Sequence, residues 1–455
     1  AAGGFLGLRA AAVCGLGAYV HPGGRATPTA SLLFGLQGAY RMPAVSLSVR
    51  GMYSHATPTG PFRGAGQPEG TYVIERLIDQ AADRLGISPL ELRRRNVLTP
   101  ADFPFRCATG HTVGSGDPGG LLRRAADWLG ARPDPPGLSA SGLALYLKVN
   151  GMGRQERAEV AVTAAGTVIV RIGSQSNGQG HASTFAGMAA ARLGIDPALI
   201  QVVQGDTDSV AFGTGTGASS ALVTTGAGVA ASSDDLLRQA RAAAAQQLEV
   251  AADALDYQAG QFGLAGSNRF VSLAQLAAAA GGALVGRSEV GVNLTYTFGC
   301  HACTVRVDAD TGAVQVCDYV AFDDLGPLLQ PAIAAGQIHG GVAQGIGQAL
   351  LEAMQYDAGG QPLSASLLDY ALPRASDLPG IHCVPVVSGP GIRGAGEAGA
   401  VASMAAVVNA VAAAVGDTGL DAPLTPERVW RALQNSRVTP GLDTVHQSRR
   451  PGDAP

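Results

Sequence analysis

Gly391-Ile392-Arg393-Gly394-Ala395-Gly396-Glu397-Ala398-Gly399 runs straight into an apolar stretch over 400–415. One carboxylate, Glu397, stands among four glycines. Glycine lets backbone pass close to a bulky group. A helix beginning here adds free N–H donors and a positive field. The stretch over 394–399 also fits the G-x-G-x-x-G pattern of dinucleotide sites. That pattern needs a strand leading directly into the first glycine, with the rest of the fold after it. Ser388-Gly389-Pro390 interrupts the approach from 384–387, and too little chain follows. The acid would also face a pyrophosphate. A nicotinamide-dependent dehydrogenase is therefore set aside. Glu397 reads instead as a proton-transfer group beside a bound cofactor. A carboxylate in a water-poor, glycine-lined pocket is expected to have a raised pKa.

Working outward, three more glycine-rich stretches are expected to lie in loops before helices, at 178–181, 213–219 and 340–347. They carry Gln, Ser, Thr and His donors. A large polar ligand suits such a set, and phosphate can be bound there by N–H and hydroxyl groups. The apolar periodicity of Val73, Ile74, Leu77, Ile78, Ala81 and Leu85 predicts a helix stopped by Gly86. Ser88-Pro89-Leu90-Glu91 caps a short helix, whose run Arg93-Arg94-Arg95 is expected on a solvated or partner-facing side. Alternation predicts strands at 158–162, 167–172 and 200–203, and a hairpin about the turn 308–312. The order of elements lacks a strict βαβ rhythm. The fold class is therefore α+β, with mixed sheets and packed helices. Residues 1–100 form a first unit, 101–140 a linker rich in Pro, Gly and Asp, and 141–455 a second unit.

Composition narrows the function. The 455 residues carry a net charge of −4 and no basic block, so nucleic acid is not an expected partner. Ala1–Val20 lacks a clean cleavage site and reads as internal sequence. The run over 400–415 is too short for a membrane span and carries Asn409. Six scattered cysteines favour a reducing, cytoplasmic compartment. Cys300-His301-Ala302-Cys303 lacks a second pair at zinc spacing. In a strand its cysteines face opposite sides, as small buried residues. His301, His339 and His382 have no metal-triad spacing and read as structural. His181, in a donor-rich loop, reads as a ligand-binding residue.

Taken together and in order, five motifs carry a resemblance. They are Phe62-Arg63-Gly64-Ala65-Gly66-Gln67-Pro68-Glu69, Gly178-Gln179-Gly180-His181, Gln204-Gly205-Asp206-Thr207-Asp208, Gly341-Val342-Ala343-Gln344-Gly345-Ile346-Gly347 and Gly394-Ala395-Gly396-Glu397-Ala398-Gly399. The set resembles the molybdenum-binding large subunit of the xanthine dehydrogenase / aldehyde oxidase family of molybdenum hydroxylases, over nearly the whole chain. The resemblance implies two molybdopterin-binding units, residues 1–100 being the C-terminal part of the first. The family's N-terminal half is expected to be missing, so an incomplete, non-catalytic fragment is the alternative.

The resemblance further implies a molybdenum-bearing molybdopterin cytosine dinucleotide. The pterin dithiolene holds the metal, so no protein ligand is expected. Glu397 then acts as base on a molybdenum-bound hydroxyl, which attacks an electron-poor carbon of an aldehyde or N-heteroaromatic ring. Gln344 hydrogen-bonds an oxo ligand, and the Arg63 backbone approaches the metal. Phe62, Gly178, Gln179, Gly180, His181, Thr216, Ser219, Gly345 and Gly396 complete the expected cofactor contacts. Ser220 and Ala221 stand where family members often carry an arginine. Gly64 stands where copper-containing carbon monoxide dehydrogenases carry a cysteine, which argues against carbon monoxide. Ala65 stands where purine-oxidising members often carry an aromatic, which argues against a purine. Electrons then leave through partners, an iron–sulfur small subunit and an FAD-binding subunit.

Overall fold

The computed structural model describes residues 3–438, apart from 152, 154 and 292. The architecture is α+β, built of mixed sheets and packed helices. At its centre lies a four-stranded sheet whose edge strand, Leu138–Asn150, is buried from residue 142 to its end. Continuous burial marks a strand covered on both faces. It pairs antiparallel with Thr295–Val307, which pairs antiparallel with Val314–Asp324. Ile381–Val386 joins in parallel at the far edge. The strands at 295–307 and 314–324 extend the hairpin expected about 308–312.

Each face of this central sheet has its own core. On one face, Val401, Val407, Val408 and Val411 of the helix Ala398–Val415 pack with Ile338, Val342 and Ile346 of the helix Pro331–Leu350. Each such buried valine contributes about 1.5–3 kcal/mol. On the other face, Ile74 and Ile78 of the helix Gln67–Leu85 meet Leu143, Leu145 and Leu147. Cys303 lies in the first core and Cys300 in the second, as strand alternation requires. His301 is buried between Tyr319 Oη at 2.8 Å and Asp323 Oδ1 at 3.1 Å. It is a satisfied structural residue.

A second sheet orders Ala283–Gly291, Gln155–Thr163, Val168–Ile172 and Ile200–Val203. Its core comes from the helices His181–Leu193 and Ala221–Leu248. The last two strands are parallel and joined through His181–Leu193. The loop over 173–180 therefore leaves the carboxyl end of a strand and enters a helix, the usual place for a ligand in such a unit.

Four expectations need correction. The segment 101–140 is more than a linker. Asp117 caps the helix Pro118–Gly130, accepting from the Gly120 N–H, and Leu121, Leu122 and Ala125 fall at helical spacing into the second core. Arg93 is not solvated. It is fully buried, donating to Glu75 Oε2 at 2.9 Å and Asp79 Oδ1 at 2.6 Å, while Arg94 and Arg95 are exposed. The helix after the arginine loop starts at Gln67, with Pro68 tolerated in its first turn.

Finally, 340–347 is not a loop before a helix. It lies inside Pro331–Leu350, where the glycines allow close helix packing. A Cβ on Gly345 would sit 1.7 Å from Ser403 Oγ, and one on Gly341 would sit 2.7 Å from the Ala400 nitrogen. The helix Ala398–Val415 is long and apolar enough to cross a membrane, but 89% of it is buried inside the molecule. Asn409 fits that interior, donating to Leu143 O and accepting from Arg76.

Candidate active site

Glu397 is the N-cap of Ala398–Val415. Its side chain makes no hydrogen bond to that helix's first N–H groups, but a carboxylate there gains from the positive end of the helix dipole. Ten loop residues, 387–396, separate it from the strand Ile381–Val386, so no strand enters the glycines directly. The loop is held by a second one. Ser219 Oγ donates to Glu397 Oε2 at 3.0 Å and accepts from the Glu397 N–H at 3.1 Å. A Cβ on Gly394 would fall 2.1 Å from the Ser219 carbonyl oxygen, so only glycine fits.

Two further groups reach the carboxylate. The Gly64 N–H donates to Oε1 at 3.2 Å. Lys148 Nζ lies 2.9 Å from Oε2. Lys148 is fully buried in the strand Leu138–Asn150, and Glu397 is one-fifth exposed. The lysine also donates to Asn150 Oδ1 at 2.7 Å and to the Val149 carbonyl at 3.4 Å. Asn150 Nδ2 in turn donates to Thr297 Oγ1, whose hydroxyl donates to the Gly394 carbonyl. The loop is thus tied back to the sheet.

The raised pKa expected for Glu397 is not what this environment produces. Burial alone would raise it, and is the largest single influence. The Lys148 ammonium, the Ser219 hydroxyl and the Gly64 N–H together outweigh it and hold the carboxyl below its ordinary value. The glycine loop suggested an apolar pocket. The cation comes from a strand 249 positions earlier in the sequence, and no local pattern announces it.

Arg63 organises the other side. Its Nε donates to Gly396 O at 2.7 Å, Nη1 to Gln344 Oε1 at 3.1 Å, and Nη2 to Gln337 O and Oε1, each at 3.1 Å. One guanidinium therefore joins three motifs. Burial lowers its proton affinity, and the Glu397 carboxylate opposes that. Gln344 spends its carbonyl on Arg63, leaving its amide to donate to a ligand.

The remaining wall comes from the second sheet's loops. Gln175 clamps two of them, its side-chain oxygen accepting from the Thr216 N–H at 2.9 Å and its carbonyl from Thr216 Oγ1 at 2.6 Å. Gln179 Nε2 lies 3.1 Å from His181 Nε2 and donates to Gln175 O at 3.3 Å.

These groups line one cavity of about 620 Å³. Arg63, Gly178, Gln179, His181, Thr216, Ser219, Gln344, Gly396 and Glu397 all face it. Ser220 and Ala221 line it too, the Ser220 hydroxyl turned back to Gly217 O. Phe62, Gly180 and Gly345 do not line it. Gly180 caps the helix beside Ile333, and Gly345 is consumed by helix packing. Sequence reasoning missed Lys148, Asn150, Thr297, Gln175 and Gln337. Lys148 had a signal, being a lone cation in a strand otherwise apolar from Leu143 to Val149. A fully buried lysine requires a partner.

The cavity fits a phosphate-bearing pterin cofactor by its own chemistry. Ala218 and Ser219 hold left-handed backbone at φ 50° and 54°, beside Gly213, Gly215, Gly178 and Gly180 at positive φ. Such loops turn N–H groups toward an anion. His181 Nδ1 is buried without a hydrogen-bond partner, a group that a bound ligand would satisfy. Among the described residues no cluster of metal-ligating side chains occurs.

Comparison with known proteins follows the same lines. Residues 1–97 and 126–379 match family profiles described as molybdopterin cofactor-binding domains. The chain is 33% identical to the carbon monoxide dehydrogenase large chain of Hydrogenophaga pseudoflava, across 96% of this chain and 60% of that one. It is 30% identical to the 6-hydroxypseudooxynicotine dehydrogenase complex subunit gamma of Paenarthrobacter nicotinovorans, across 89% and 55%. It superimposes on quinoline 2-oxidoreductase from Pseudomonas putida 86 with a TM-score of 0.84 and 30% identity, across 95% and 60%. The chain thus spans little more than half the length of these relatives. With both profiles matched and four of the five motifs gathered around one cavity, this chain belongs to the molybdopterin cofactor-binding family of molybdenum hydroxylase large subunits.

Proposed function

We propose that this chain forms the Glu397-bearing part of a molybdenum hydroxylase that oxidises an aldehyde or N-heteroaromatic substrate with oxygen from water. The observation that carries this reading is the state of Glu397. It faces the cavity as a carboxylate with Oε2 bound to Lys148 and Ser219, and with only the Gly64 N–H on Oε1. Oε1 keeps a free lone pair with which to take a proton. When bound, the molybdopterin centre supplies the redox chemistry, oxidising the substrate by two electrons. The protein's residues bind and orient. Arg63 fixes Gln344 and the Gly396 carbonyl. The loops at 173–180 and 213–219 offer donors for a dinucleotide, for which we propose the cytosine form.

Gly64 supports the choice of substrate class. Its φ is +100°, and a Cβ there would come within 2.4 Å of Pro68 Cγ. A cysteine does not fit this backbone, which supports excluding carbon monoxide despite the relative of that name. Ala65, at φ 51°, presents no ring for stacking a purine. The quinoline and 6-hydroxypseudooxynicotine relatives support an N-heteroaromatic substrate. The relative named as one subunit of a complex also supports assembly with further subunits, for which we propose an iron–sulfur subunit and an FAD-binding subunit. Six free thiols support a cytoplasmic setting.

The test is turnover of aldehydes and quinoline-type rings by the complete subunit assembled with its partners. Glu397→Gln is expected to lower turnover by about 10²–10⁴-fold at equal molybdenum content. Unchanged turnover would remove Glu397 from the chemistry.

A further inference from the structure

The chain has 31 basic residues, and 30 of them are arginine. Its one lysine, Lys148, is fully buried against Glu397. Arginine serves every other ion pair with a carboxylate described above, including the buried pair with Glu75. The exception calls for a reason, and the geometry supplies one. The ammonium is a compact charge with three donors. All three find acceptors: Glu397 Oε2, Asn150 Oδ1 and the Val149 carbonyl. A planar guanidinium carries five donors in a wider fork, and this niche offers three acceptors at a single point.

We propose that Lys148 is the positioning residue of the site, holding Glu397 ionised and oriented so that Oε2 is fixed and Oε1 meets the proton to be removed. The inference rests on reading Glu397 as the base, and goes beyond it by naming what sets that base's charge. The surroundings of the carboxylate are otherwise accounted for. Arg63, from the loop before Gln67–Leu85, spends its guanidinium on Gly396, Gln344 and Gln337. Arg393, in the same loop as Glu397, is paired with Asp324. Ser219 and Gly64 supply neutral donors.

The proton balance is simple. Before transfer, the Lys148–Glu397 pair is neutral overall. After Oε1 takes a proton, Glu397 is uncharged, Lys148 keeps its charge, and the pair carries +1. That charge favours release of the proton, resetting the base. A base held this way stays competent below the ordinary glutamate range, at the cost of proton affinity.

The experiment follows the Glu397 carboxyl directly, by infrared difference spectra across pH steps in the assembled complex. The band is assigned by its loss in Glu397→Gln. In wild type the protonated-carboxyl band is expected only below the ordinary glutamate range. Lys148→Met should move it upward. The acid limb of kcat/KM should follow, about tenfold in active fraction per unit. Lys148→Arg, which restores charge, should recover part of the shift. A band unmoved by Lys148→Met overturns the proposal. Should that variant not accumulate, wild type alone decides, since a band at or above the ordinary range also overturns it. Turnover unchanged in Glu397→Gln would defeat the base assignment instead, leaving the infrared result to stand by itself.

Discussion

Two carboxylates meet the strand Leu138–Asn150, one at its open edge and one through a side chain. Glu75 accepts the Leu145 N–H at 3.0 Å, Tyr40 Oη at 2.5 Å and Arg93 Nε at 2.9 Å. Glu397 meets Lys148 three residues along the same strand. Both are acid–cation pairs in which the cation is fully buried. Burial raises Glu75, and its partners do not fully offset that. The donors around Glu397 prevail, and its pKa is lowered. The further difference is access. Glu75 has no exposure and its oxygens meet protein donors inside the core, so it binds elements together. Glu397 keeps one-fifth of its surface and faces the cavity. The same chemical pairing is architecture where it is closed off and a reactive group where it faces the cavity.

The largest test of this contrast exchanges the two acids. Glu397→Gln should remove about 10²–10⁴-fold of turnover while moving the thermal midpoint little. Glu75→Gln, or Arg93→Met, should do the reverse. Breaking a buried pair by deleting one partner costs about 3–5 kcal/mol, read as a lower unfolding midpoint. Equal thermal losses in both acids would erase the distinction.

A smaller effect is expected from Ser219→Ala, which removes the donor to Oε2 and the acceptor for the Glu397 N–H. Hydrogen bonds to charged groups contribute about 1.5–3 kcal/mol, so turnover should fall by roughly tenfold or more. Its acid limb should also move upward, because one of the groups depressing Glu397 is gone. An unmoved limb would show that Ser219 only spaces the loops.

The smallest effect concerns acid stability. A group whose folded pKa is depressed adds stability above its unfolded pKa and loses it as pH falls through the folded one. For Glu397 that window opens at the ordinary glutamate value and extends below it. Glu397→Gln should flatten the decline in thermal midpoint across that window. Identical declines in variant and wild type would contradict the depressed value.

Much of the site was legible in the sequence because the cofactor-facing residues sit in short motifs. Arg63, Gln179, His181, Thr216, Ser219, Gln344 and Glu397 came from five stretches and meet at one cavity. Local periodicity also located Ile200–Val203 and the hairpin about 308–312. What stayed hidden depends on tertiary partners. Glycines at 340–347 look the same in a loop and in a tight helix pair, until Ser403 and Ala400 are placed against them. Arg93 belongs to a visible arginine run, yet only folding brings Glu75 and Asp79 around it. Lys148 shows in the strand as a misplaced cation, but its partner lies far along the chain.

The account rests on the cavity being a molybdopterin site. Elemental and nucleotide analysis of the complete subunit, assembled with its partners and maturation factors, tests that most directly. One molybdenum per chain, with a cytosine nucleotide released on acid treatment, is the predicted result. A folded, assembled subunit that carries no molybdenum would contradict it.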